Sequence, residues 1–118
     1  MDMVVRAFPL AEGKDTDLDT FISSLSELKK DETDRFYAKY GVRRECWHRQ
    51  KIGDADWVIV VTVLDSADAA FSTFGASTEA FDTWFKEQVA ELTDVNQNET
   101  PRGPLSECIF DWSHEPKP

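Results

Sequence analysis

The side chains best suited to chemistry crowd into one segment, VRRECWHRQKI at 42–52. Read as a strand, its alternation sends Arg43, Glu45, Trp47 and Arg49 to one face and Arg44, Cys46, His48 and Gln50 to the other. Sequence alone leaves open which set points inward. If the first set does, Glu45 beside Trp47 is a desolvated acid or base, and Arg6 on the first strand can hold an anionic substrate. The competing reading is a charged edge strand whose arginines discourage sheet-to-sheet pairing, with Glu45 ion-paired to one of them. A histidine suits proton transfer near neutral pH, so His48 is the second catalytic candidate, with Cys46 two residues away. Side chains at i and i+2 of a strand stand ~7 Å apart, too far for a direct thiol–imidazole hydrogen bond. A packed thiol and a surface or interface histidine is the competing reading there.

A binding pocket is the other chemical possibility. Phe81, Trp84 and Phe85 recur on one face of a helical pattern, and Arg6, Trp47, Phe74, Trp84 and Trp112 are the residues expected to line an apolar pocket between sheet and helices, with Phe71 beside them. The same stripe equally describes an ordinary core. Arg6 and Asp111, on neighbouring predicted strands, can instead form an ion pair, which would remove both from catalysis. With only two histidines, His48 and His114, and no carboxylates at ligand spacing to them, no metal site and no cofactor are expected.

These side chains need a frame. MVVRAFPL at 3–10 reads as a first strand ended by Pro9. Leu18, Phe21, Ile22, Leu25 and Leu28 recur at helical spacing behind Thr16, Asp17 and Asp19. The helix is expected to pause near Lys30 and resume over 33–40, with Gly41 as its C-terminal cap. The turn Gly53-Asp54-Ala55-Asp56 closes a hairpin between strand two and WVIVVTVL at 57–64. Seven of those eight residues are apolar, so this strand is central and covered on both faces. Ser66 and Asp68 start a short helix, Gly75 interrupts it, and Ser77 opens a second one through Leu92. The polar stretch DVNQNETPRGP is a loop, Glu107 to Trp112 a fourth strand, and 112–118 a frayed tail.

Composition bounds the function classes. A chain of 118 residues is one domain, able to bury roughly two-thirds of its unfolded surface. Its 23 acidic against 13 basic residues give a net charge of −10, an acidic protein that would be repelled by nucleic acid and by an anionic membrane surface. No run approaches the ~20 apolar residues of a membrane span and no signal peptide opens the chain, so a cytoplasmic protein is expected. Cys46 and Cys108, placed on strands at opposite edges, read as two buried free thiols.

The order β-α-β-β-α-β predicts an α+β, ferredoxin-like domain spanning 1–118: a four-stranded antiparallel sheet of order 4-1-3-2 with two main helices on one face. Strand three presents Trp57, Ile59, Val61 and Val63 on one face and Val58, Val60, Thr62 and Leu64 on the other, and helices can cover only one of them, which predicts a homodimer packed through the open sheet face. On this order, and on the segments GVRRECWHRQ, EAFDTWFKEQVAEL and GPLSECIFDW, the chain resembles the dimeric α+β barrel superfamily, and within it an uncharacterised bacterial family of unknown function. The resemblance implies the fold and the dimer; no catalytic residue is carried over from it. The expected function is binding of a small, partly apolar molecule. A cofactor-independent monooxygenase or isomerase is one alternative, and a structural or stress-associated dimer with a filled core is the other.

Overall fold

The computed structural model describes residues 1–93 and 106–114. Three strands, β1 (Asp2–Pro9), β2 (Val42–Ile52) and β3 (Ala55–Leu64), form one antiparallel sheet of order β1-β3-β2. Between β1 and β2 run α1 (Asp15–Ser23), a π-helical turn (Ser24–Leu28) and α2 (Lys30–Lys39); after β3 come α3 (Ala67–Ala76) and α4 (Ala80–Thr93). The apolar run of β3 makes it the middle strand, as its pattern predicts. The pause expected near Lys30 is the π turn, whose hydrogen bonds slip by a residue before Lys29 restarts the helix through Thr33 N–H.

The predicted four-stranded sheet and βαββαβ topology are overturned. Residues 106–113 carry no strand, and Ile109, Phe110 and Trp112 are 87%, 84% and 72% exposed. The segment meets the sheet at Ser106, whose Oγ accepts the Val5 N–H at 3.0 Å. Among the described residues β1 is therefore an edge strand rather than a central one, and four α-helices, not two, accompany the sheet. The thiols are not buried either: Cys46 is half-buried on β2 and Cys108 is exposed outside the sheet. The expected partner of Arg6, Asp111, sits in this same exposed segment, off any strand. The loop expected at 94–104 and the last residues of the tail lie outside the described residues.

Alternation fixes the two sheet faces. Val58, Val60, Thr62 and Leu64 of β3 are buried, together with Val4 and Phe8 of β1. Against them pack Leu18, Phe21 and Leu25 from α1 and its π turn, Phe36 from α2, and Phe85, Val89 and Leu92 from α4. A smaller cluster joins Val4 and Leu64 to Ala67 and Ala70 of α3. Burying these side chains contributes roughly 25 cal/mol per Å² of apolar surface, the main force holding helices to sheet. The N-terminus of α3 is fixed by two caps: Ser66 Oγ accepts from Ala69 N–H at 3.3 Å, and Asp2 Oδ2 from Ala67 N–H at 2.8 Å.

Candidate functional site

The register of the hairpin decides which face of β2 points inward. Glu45 lies opposite Thr62 and Trp47 opposite Val60, so the first of the two predicted sets faces the helices; Cys46 lies opposite Val61 and His48 opposite Ile59, on the open face. The tight turn that pairs Ile52 with Ala55 sets this phase, which runs unbroken to Arg44; beyond it an irregularity between Val42 and Arg44 leaves Arg43 as an extra residue. The two catalytic candidates, Glu45 and His48, therefore stand on opposite sides of the sheet, and His48 is exposed. No single site can use both.

Glu45 is the hub of the inner face. Its Oε2 accepts hydrogen bonds from the Tyr37 hydroxyl and from Trp47 Nε1 at 2.9 Å, and its Oε1 accepts from Thr62 Oγ1 at 2.7 Å. Three of roughly four acceptor positions on the carboxylate are thus filled by the protein itself. Neither a free base nor an arginine ion pair describes it. Two arginines of β2 find other carboxylates: Arg43 pairs with Asp65 at 2.9 Å, and Arg49 with Asp19. Burial, and then the neighbouring Glu45 carboxylate, push the Tyr37 phenol well above its ordinary range, so it is held as a donor.

Beside this hub lies a cavity in which the centre of a water molecule can move through about 50 Å³, ample for an occupant larger than one water. The sheet supplies Arg6, Phe8, Glu45, Trp47, Val60, Thr62 and Leu64; the helices supply Phe36, Tyr37, Tyr40, Ala70, Phe71, Phe74 and Phe85. Arg6 is its cation. The guanidinium lies 4.9 Å from the Phe71 ring centre and 5.7 Å from that of Phe8, and burial draws its pKa down while the charge of Glu45 opposes the shift. Its Nε is buried with no hydrogen-bond partner among the described residues. An unsatisfied buried N–H on a cation costs on the order of 1–3 kcal/mol or more, a cost that an acceptor placed in the cavity would remove.

Of the residues expected to line a pocket, Arg6, Trp47 and Phe74 do line this cavity, as does Phe71. Trp84 lies outside the lining, its ring 5.5 Å from Phe21 and 5.4 Å from Phe81, with Lys29 Nζ 4.8 Å above it. Trp112 is exposed on the segment beyond Ser106. Sequence reasoning missed Tyr37 and Thr62. Thr62 carried a usable signal, because it is the only polar residue within WVIVVTVL and falls on the buried face, where a hydroxyl needs a partner. Tyr37 carried none, since its partner is eight residues away on another element.

A second polar cluster lies at the junction of α2 and α4. Asp82, whose side chain is fully buried, accepts from Lys39 Nζ at 3.0 Å and from the Tyr40 hydroxyl, and Lys39 also pairs with Glu79. Lys86 donates to the carbonyls of Ser77 at 2.8 Å and Gly75 at 3.3 Å, closing the end of α3. These contacts fasten helices to one another and leave no open donor or acceptor set. Among the described residues no group of three or more His, Cys, Asp or Glu side chains could hold a metal ion, and no helix is long and apolar enough to cross a membrane. No family model, curated protein or solved structure matches this chain.

Proposed function

We propose that the chain binds a small, partly apolar organic acid between sheet and helices, with the acid group against Arg6. The observation that carries this reading is the buried, unpartnered Nε of Arg6 in an aromatic-walled cavity. A carboxylate would satisfy that N–H and neutralise a desolvated cation, while Phe71, Phe74 and Trp47 would receive the apolar body. The cavity supports binding over a filled core. Glu45 is assigned to holding Tyr37, Trp47 and Thr62 in place rather than to proton transfer, because its oxygens are already occupied. Isothermal titration calorimetry with benzoate, and with neutral benzamide as the control, tests it. Benzoate binding that weakens at least tenfold in Arg6→Gln is expected; benzamide binding as tightly as benzoate, or no binding of either, overturns it.

The same reading includes a homodimer formed through the open sheet face. Met3 and Val5 are 69% and 36% exposed there, beside half-buried Ile59, Val61 and Val63 of the central strand. An apolar strip along a sheet is covered most simply by its own copy about a two-fold axis. Sedimentation velocity across micromolar concentrations should give a dimer; a monomer throughout would reject this part.

A further inference from the structure

Two apolar features of this chain lack apolar cover among the described residues, and they match. One is the open face of the sheet; the other is the segment 106–114, which leaves β1 at Ser106 and exposes Ile109, Phe110 and Trp112. We infer that the segment 106–114 of each copy is an exchanged arm that packs on the open sheet face of a second copy, an inference that rests on the proposed dimer.

Charge selects this occupant. Directly paired residues share a sheet face, so Met3, Val5, Val61 and Val63 stand with Arg44 and His48 on the open side. In a chain of net charge −10, the open-face positions of 3–9, 44–50 and 57–63 carry no carboxylate among the described residues, and Arg44 adds positive charge at their margin. The arm has the opposite character: Glu107 precedes its three large apolar side chains. The face thus offers what the arm lacks in both hydrophobic cover and counter-charge, and an acidic chain meets its copy where like-charge repulsion is smallest. Exchange about a two-fold axis satisfies both arms and both faces at once, leaving no open-ended contact.

The test uses the full chain. Ile109, Phe110 and Trp112 are replaced together by serine, and separately Arg44→Glu is made; all of these residues are exposed, so the fold, read by far-UV circular dichroism, is retained. Sedimentation should show a wild-type dimer and a dissociation constant raised at least tenfold in each variant. A photo-crosslinking benzoylphenylalanine at position 110 should join two chains, with the acceptor peptide within β1 or β3. A dimer of unchanged affinity in the triple variant, or crosslinks confined to one chain, would overturn the exchanged arm and leave the dimer standing. A wild-type monomer would overturn both.

Discussion

Thr62 and Glu45 sit directly opposite one another on β3 and β2, and the threonine hydroxyl donates to Glu45 Oε1 at 2.7 Å across the pair. This cross-strand bond anchors one oxygen to the middle of the sheet, so the other is presented to Tyr37 on α2 and to Trp47 on its own strand. Sheet and helix layer are thereby tied through one carboxylate. Thr62→Val should cost about 1 kcal/mol and Glu45→Gln about 1–3 kcal/mol, since the latter weakens three bonds and removes the charge facing Arg6. Urea denaturation of both singles and the double should reveal a coupling of at least ~0.5 kcal/mol. Strictly additive losses would show that the bond contributes nothing.

The protein has two tyrosines, and both phenols are raised above their ordinary range: Tyr37 by burial and the Glu45 carboxylate, Tyr40 by burial and its bond to Asp82. Phenolate absorbance near 295 nm should therefore be lower in the folded protein than in the unfolded chain at pH 10, where an ordinary tyrosine is half ionised. Linkage gives the sign. The unfolded chain releases these protons near pH 10 and the folded one holds them to higher pH, so stability present below pH 10 must fall as pH rises above it. Tyr37→Phe should flatten that fall. An ordinary titration of both phenols in folded protein would contradict the burial of the site.

Gly41 joins α2 to β2 at a φ of +68°, and a Cβ placed there would stand 3.0 Å from Asp65 Oδ2. Gly13 has a similar φ of +78° but nothing within 4 Å of its would-be Cβ. Gly13→Ala should thus cost only the left-handed backbone penalty, about 1 kcal/mol. Gly41→Ala should cost more, because Asp65 must yield and its bond to Arg43 Nε at 2.9 Å is disturbed. Equal losses for the two variants in thermal denaturation would show that Asp65 moves freely.

Much of the frame was legible in local sequence. The helical spacing from Leu18 to Leu25, the apolar run of β3 and the stop at Gly41 depend on residues close in the chain, and the structure follows them; Leu28, expected on the same face, is 89% exposed because the π turn shifts it. The two face sets of β2 were legible too, but not which one is inward, because that depends on the register with β3 and on which face of β3 the helices cover. The fourth strand failed for a related reason. SECIFDW has the composition of a strand, yet a strand exists only where an edge receives it, and composition cannot state whether that edge is in the same chain. The Glu45 hub stayed hidden because Tyr37, Trp47 and Thr62 come from three elements, and the choice among ion pair, catalyst and hydrogen-bond hub is made by tertiary distance alone.

Asp82 sets the behaviour of the fold in acid. Burial works to raise its pKa, but the hydrogen bonds from Tyr40, Ser77 and Lys39 and the Lys39 charge outweigh it and hold the carboxyl below its ordinary range. A carboxyl group with a depressed folded-state pKa stabilises the protein above its unfolded value of about 3.9, and that contribution is lost as pH falls through the lower folded value. Each unit of depression is worth ~1.4 kcal/mol. Asp82→Asn keeps an oxygen for the Tyr40 hydroxyl and removes the charge facing Lys39. Urea denaturation from pH 7 to pH 3 should show the variant less stable than wild type at pH 7, with the difference shrinking below pH 4. Because the Asp82 side chain is fully buried, added salt should change its share far less than that of the exposed Lys30–Asp34 pair. A gap between wild type and Asp82→Asn that stays constant down to pH 3 would mean that the junction of α2 and α4 is held by packing rather than by this carboxylate.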